Sequence, residues 1–223
     1  MIAIVAAHNE ADRIGATLTG LGEAFEDVSL WVADDGSSDR TAEIAAASGA
    51  LVIRARRRVG KGRAMTLAAR KALASVATAS DPVVLLCDGD LGESAARLLP
   101  LALAVQAGEA DLAVAVFSKR MGGGFGIALG FARWAVRRRC GFLAKAPLSG
   151  QRAMRASQLE ELLPFARGYG MEMGMTIDAV RAGMRVRELE LELTHRATGR
   201  APAGFLHRGR QLLDCVRVYA ATR

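Results

Sequence analysis

Leu85-Leu86-Cys87-Asp88-Gly89-Asp90-Leu91 is the stretch on which the reading of this chain turns. The apolar residues from Val83 to Cys87 have the length and character of a buried strand, and they stop abruptly at a pair of acids. Such a strand delivers carboxylates to the rim of a sheet. Two carboxylates in D-x-D spacing cannot both sit in apolar surroundings without a cation. A divalent metal, oxygen-ligated and shared with the phosphates of a ligand, meets that need. The plainer alternative is a polar turn after a strand, since Asp-Gly is a common turn dipeptide.

Upstream of this stretch, strand-like and helix-like segments alternate. Ile2 to Ala7 is a short β-type run, and Glu10 to Leu21 places Ile14, Leu18 and Leu21 at helical spacing. Val28 to Ala33 is a second apolar run that ends at Asp34-Asp35-Gly36-Ser37-Ser38-Asp39. Ser38 is placed to cap a helix over Asp39 to Ser48, which Gly49 can end. Leu51 to Ile53 is a third strand, and Gly60 to Val76 a third helix. This rhythm predicts an α/β fold, a mainly parallel sheet with helices on both faces. Ligands bind such sheets at the carboxyl ends of the strands. His8-Asn9-Glu10, Asp34-Asp35 and Asp88-Gly89-Asp90 all fall at those ends.

Downstream, Glu93 to Ala107 reads as a helix that Pro100 kinks or splits, and Asp111 to Phe117 as a strand. Ser118-Lys119-Arg120-Met121-Gly122-Gly123-Gly124-Phe125-Gly126 is a basic, glycine-rich loop, either a phosphate cradle or a linker. Phe125 to Leu143 carries Arg133, Arg137, Arg138 and Arg139 beside Phe131 and Trp134. It suits either a helix packed on the domain with a solvated arginine face or one lying on an anionic membrane. After Leu148-Ser149-Gly150, helices are expected at Ser157 to Leu163 and from Gly168 to Ala182, with Met171, Met175 and Ile177 lining core or pocket. Val186 to Thr194 alternates as a half-solvated strand and delivers His195-Arg196, and Gly204 to Arg223 is a basic helix.

Composition sets the limits. The 223 residues, 51% of them apolar, suffice for one large domain or two small ones. A net charge of +7 and a pI near 10.0 favour anionic partners. Cys87, Cys140 and Cys215 form no disulfide framework or metal pair, so a reducing, cytoplasmic setting is expected. No signal peptide is read at the start, and no apolar stretch is long enough to span a bilayer. Nucleic acid is not expected as a partner, because aromatic and basic residues do not interleave.

The ordered set Ala6-Ala7-His8-Asn9-Glu10, Asp34-Asp35-Gly36-Ser37-Ser38-Asp39-Arg40-Thr41, Gly60-Lys61-Gly62 and Asp88-Gly89-Asp90 resembles the family-2-type glycosyltransferases of the GT-A (Rossmann-like) fold. The resemblance continues through Ser149-Gly150, Gly168-Tyr169-Gly170-Met171-Glu172 and Thr194-His195-Arg196. It implies a single domain over 1–223, with a nucleotide-sugar-binding half at 1–117, an acceptor half at 118–203 and a C-terminal helix at 204–223. It implies that Asn9, Glu10, Asp35, Lys61, Asp88, Tyr169 and Arg196 bind a UDP- or GDP-sugar. Asp90 and His195 would hold Mg²⁺ or Mn²⁺, and Asp90 and Glu172 would serve catalysis, Glu172 by orienting sugar hydroxyls or as a general base. Among relatives, the second half looks most like glucosyl-3-phosphoglycerate synthases, with polyprenyl-phosphate sugar transferases next. The acceptor is therefore expected to be a phosphorylated small molecule or a polyprenyl phosphate. The Arg133 to Arg139 segment would then touch the inner membrane face peripherally, and a homodimer is left open. Two alternatives from other classes remain: a nucleotidyltransferase, and a non-catalytic module that binds anions or a membrane surface.

Overall fold

Alternate residues of each central strand feed opposite cores. Ala3 and Val5 of β1 (Ile2–Ala7) face one side of the sheet, while Ile2 and Ile4 face the other. Leu85 and Cys87 of β4 (Val83–Asp88) part in the same way from Val84 and Leu86. A strand buried on both faces needs no polar alternation, which is why these runs are continuously apolar. The computed structural model describes residues 1–77, 80–118, 126–194 and 202–221, leaving out the side chains of Tyr169 and 202–211.

Seven strands form one sheet in the order β3-β2-β1-β4-β6-β5-β7. The others are β2 (Ser29–Asp34), β3 (Leu51–Arg54), β5 (Leu112–Phe117), β6 (Arg152–Arg155) and β7 (Val186–Leu191). β1 to β4 run parallel, β7 runs parallel to β5, and β6 lies antiparallel between β4 and β5. The chain winds from β1 out to β3 and then returns to place β4 on the other side of β1. That reversal opens a crevice at the carboxyl ends of β1 and β4.

On one face lie α1 (Ile14–Ala24), α2 (Thr41–Ala47) and α4 (Leu99–Gln106), around Leu18, Leu21, Leu85, Leu98 and Leu101. On the other lie α3 (Lys61–Ala74), α6 (Ala156–Glu161) and α7 (Met171–Arg181), around Ile4, Met65, Leu86, Met154 and Met175. A smaller core joins α5 (Ile127–Cys140), α7 and α8 (Pro202–Ala221) through Val136, Met173, Ile177 and Cys215. The three cysteines are free thiols. No described helix is long and apolar enough to cross a membrane.

Several local expectations are corrected. Glu93 to Ala107 is split next to Pro100, as expected, but its first part is a 3-10 segment, Gly92–Leu98, and Pro100 sits in the first turn of α4 rather than inside a helix. Proline is tolerated there because the first-turn amides lack helical partners anyway. Ser38 does not cap α2. Asp39 does the corresponding work, accepting from the Thr41 amide and hydroxyl and, through its other oxygen, from the Ala11 amide. The arginine face of α5 is exposed at Arg133, Arg137 and Arg138, as expected, but Arg139 is half-buried over the Tyr219 ring. The glycine-rich loop at 119–125 lies outside the described residues.

Candidate active site

Lys61 is the first residue of α3, and Glu172 is in the first turn of α7. The Lys61 ammonium lies 2.6 Å from Asp88 Oδ1 and 2.6 Å from Glu172 Oε1. Glycines make this convergence geometrically available. Gly60 takes φ +92 to turn the chain into α3, and a Cβ on Gly62 would overlap the Ala166 carbonyl oxygen. The loop that leads to α7 therefore rests directly on the start of α3. An acid in the first turn of α7 gains from the helix dipole, whereas a cation at the start of α3 loses. The two carboxylates offset that loss.

The cluster is largely withdrawn from water, with the Lys61 side chain 22% exposed and that of Glu172 5%. Burial opposes charge on Lys61, but Asp88 and Glu172 outweigh it and hold the ammonium well above the ordinary lysine range. Asp88 is engaged on its second oxygen as well, by Gln151 Nε2 at 3.0 Å. Gly150 passes so close that a Cβ there would stand 2.5 Å from Asp88 Oδ2 and 2.8 Å from Lys61 Nζ.

Asp90, one residue beyond Gly89, is held by its backbone. Gly89 N donates to the Ala6 carbonyl, and Arg13 Nη1 donates to the Asp90 carbonyl at 3.2 Å. The buried hydroxyl of Thr17 on α1 donates to Gly89 O and accepts from Gly92 N, both at 2.9 Å. Thr17 thus brackets the turn from both ends.

The tips of β1 and β2 lock together beside it. Asn9, at φ +57, receives Ser38 N on its side-chain oxygen, and its own amide donates to Ser37 Oγ. Glu10 N donates to Thr41 Oγ1, and His8 Nδ1 donates to the Asp35 carbonyl. The Asp35 carboxylate accepts from the amides of Val59 and Gly60, fixing the turn that presents Lys61. Asp34 is buried against Ser37 and Arg54. A separate basic pocket of about 290 Å³, lined by Gly36, Ser37, Arg54, Ala55 and Arg56, opens at the β2 and β3 tips but contains none of the expected site residues.

The structure therefore brings Lys61, Asp88 and Glu172 into contact, with Asp90 two residues beyond Asp88 and Asn9, Glu10 and Asp35 at the neighbouring tips. His195 and Arg196, and the side chain of Tyr169, lie outside the described residues. Thr194, just before them, is tied to Ser94 through its amide and carbonyl and reaches the Leu91 carbonyl at 3.5 Å. The resemblance implies that Asp90 and His195 hold Mg²⁺ or Mn²⁺. No described group of three or more His, Cys, Asp or Glu is arranged to hold a metal. Both Asp88 oxygens are engaged, by Lys61 and Gln151, so of the expected pair only the Asp90 carboxylate lies among the described residues. That suits a hard cation which takes most of its shell from phosphate oxygens and water.

Sequence reasoning missed three residues. Thr17 is hidden in an ordinary helix. Gln151 carries no charge to draw notice. Arg152 stands on β6, which no apolar run announces. Only 1% exposed, Arg152 donates to the carbonyls of Ser149 and Pro147 and to Thr176 Oγ1. Burial lowers it to about 10, with Glu172 and Glu188 opposing. The Pro147-Leu148-Ser149-Gly150 stretch was legible; the cation that clamps it was not.

Crystal structures of glucosyl-3-phosphoglycerate synthase from Mycobacterium tuberculosis are similar over almost the whole chain. The complex with phosphoglyceric acid shares 27% identity at a TM-score of 0.77, covering 99% of this chain and 78% of that one. The complex with Mn²⁺, UDP-glucose and phosphoglyceric acid shares 27% at 0.76, again over 99% and 78%. The complex with Mg²⁺ and UDP shares 27% at 0.76 with the same coverage. No curated protein sequence is a significant match. The model of glycosyl transferase family 2 matches residues 2–162, and with the strand tips and GT-A sheet described above it shows that the chain belongs to that family of glycosyltransferases.

Proposed function

We propose that this glycosyltransferase moves a sugar from a nucleoside diphosphate donor, a UDP- or GDP-sugar, to a phosphate-bearing acceptor, with Mg²⁺ or Mn²⁺. Family membership removes the nucleotidyltransferase and the non-catalytic module. The observation that carries the reading is the convergence of Lys61, Asp88 and Glu172 at the carboxyl edge of β4 beside Asp90. The similarity to a synthase crystallised with UDP-glucose and Mn²⁺ supports the donor class.

Breaking the sugar–phosphate bond leaves negative charge on the departing diphosphate. The cation, when bound, would neutralise part of that charge. Asp90 would hold it together with His195, a pairing supported by the tie between Thr194 and Leu91, the residue after Asp90. Lys61 supplies a fixed positive charge in a largely water-excluded place, where it acts more strongly than in bulk water. Glu172, held by Lys61, would orient sugar hydroxyls or accept a proton from the attacking hydroxyl, and its ion pair with Lys61 supports a position beside the donor. Asn9, Glu10 and Asp35 shape the nucleoside side of the crevice. Asp35 acts there through the turn it holds.

The acceptor reading rests on charge and similarity. Arg57 and Arg58, just before Gly60-Lys61, and Arg63 and Arg167, next to the contact of Gly62 with Ala166, are exposed. The similar synthase was crystallised with phosphoglyceric acid and with glycerol 3-phosphate. A lipid-linked phosphate is a second reading, favoured by Trp134, 50% exposed, beside the exposed Arg133, Arg137 and Arg138 of α5. Sedimentation with anionic vesicles tests that variant.

The direct test is a screen of UDP- and GDP-sugars with 3-phosphoglyceric acid, glycerol 3-phosphate and a short polyprenyl phosphate, reading nucleoside diphosphate release. Release that requires both a divalent metal and one of these acceptors is the expected result. No release with any pair counts against the proposed substrates.

A further inference from the structure

Gln151 sits where the turn after Gly150 enters β6, and it is 1% exposed. Its backbone carbonyl is used by the sheet, accepting from Ala115 N at 3.0 Å. Its side-chain amide donates Nε2 to Asp88 Oδ2. That orientation is chemically forced, because the reverse would set the amide oxygen against a carboxylate oxygen with no proton between them. Oε1 therefore points away from Asp88. It is buried and has no hydrogen-bond partner among the described residues. Ser149 Oγ, on the other side of Gly150, is also buried without a partner among the described residues.

Buried polar atoms are nearly always paired, so an orphan acceptor beside a reaction centre marks a place where a ligand supplies the donor. The turn cannot simply swing out to reach water. Arg152 holds the carbonyls of Ser149 and Pro147, and Gly150 is pressed against Asp88 and Lys61. An amide oxygen accepts only. A diphosphate ionised at neutral pH has no proton to give it. A sugar hydroxyl does.

We propose that Gln151 is a specificity-determining residue whose Oε1 accepts a hydrogen bond from one hydroxyl of the transferred sugar, beside Asp88. This rests on the donor site described above. Gln151 thereby selects for one hydroxyl, while its Nε2 keeps the Asp88 carboxylate turned toward Lys61.

The test compares wild type, Gln151→Met and Gln151→Glu on the sugar nucleotide that wild type turns over fastest and on its monodeoxy analogues. In wild type, one analogue loses about tenfold or more in kcat/KM, as removal of one hydrogen bond to a buried group predicts. In Gln151→Met that penalty shrinks to within about twofold, while the Kd for UDP is unchanged. Gln151→Glu, with a proton on the oxygen that faces Asp88, keeps an acceptor at the Oε1 position and retains the penalty at lower overall activity. Deoxy penalties that are the same in wild type and Gln151→Met, or a Kd for UDP that rises as much as that for the sugar nucleotide, overturn the role of Gln151 and leave the donor site standing. A wild-type protein that turns over no sugar nucleotide overturns both.

Discussion

The ammonium of Lys61 lies 2.6 Å from the carboxylate of Glu172, joining the first turns of α3 and α7 across the crevice at the β4 tip. The same ammonium holds Asp88 at the same distance. One cation thus sets the positions of two acids that arrive from separate parts of the chain.

Replacing Lys61 by Met leaves Asp88 and Glu172 facing each other with their shared cation gone. Breaking a buried pair costs about 3–5 kcal/mol, and the partial exposure of Lys61 and Asp88 reduces that here to about 2 kcal/mol. Urea unfolding should show that loss, with turnover falling at least about a hundredfold. Adding Glu172→Gln to Lys61→Met should restore part of the stability and none of the activity.

Two glycines separate function from folding. In Gly150→Ala the new methyl meets the ends of the Asp88 and Lys61 side chains, which can move aside. Stability should change by less than about 1 kcal/mol, while kcat/KM falls about tenfold or more because the ion pair is displaced. In Gly62→Ala the methyl meets the Ala166 carbonyl, part of the backbone. That substitution should cost about 1–3 kcal/mol, read from thermal or urea unfolding.

Thr17→Val keeps the shape of the side chain and removes the hydroxyl that bonds Gly89 O and Gly92 N. Two backbone groups lose their bracket, at a cost of about 1–3 kcal/mol. Because those groups flank Asp90, the Mn²⁺ concentration needed for half-maximal activity should rise several-fold while the Kd for UDP without metal stays put. An unchanged metal requirement would show that Thr17 serves folding alone.

Hydrogen bonds from Arg185 hold the Asp111 carboxyl down at about 2, against an ordinary 3.8, and fasten the start of β5 to that of β7. A carboxyl lowered on folding contributes stability that is present above the unfolded value and lost as pH falls toward the folded one. The urea midpoint should drop between about pH 4 and pH 2, and Asp111→Asn should flatten that part of the profile.

The parallel core of the fold was legible because β1, β2, β4 and β5 are continuous apolar runs, and their polar tips announced the crevice. β6 was not, since Arg152-Ala153-Met154-Arg155 carries arginines at both ends and no apolar run. Its buried Arg152 is satisfied by carbonyls of the preceding turn, a tertiary arrangement that leaves no local pattern. The meeting of Lys61 with Glu172 was hidden for the same reason. Each reads locally as a helix-start residue, and only packing of the 164–168 loop on Gly62 puts them in contact. Asp35 was legible as a site acid, but its hold on the Val59 and Gly60 amides depends on how the next loop folds back.

The central claim is a donor site in which Asp90 brings a divalent cation to a diphosphate beside Lys61. Titration calorimetry of UDP with and without Mn²⁺, on wild type and Asp90→Ala, tests it most directly. Wild type should bind UDP at least about tenfold more tightly with Mn²⁺, and Asp90→Ala should lose that gain while keeping its metal-free affinity. Equal UDP affinity with and without Mn²⁺ in wild type, or a full Mn²⁺ gain in Asp90→Ala, would contradict it.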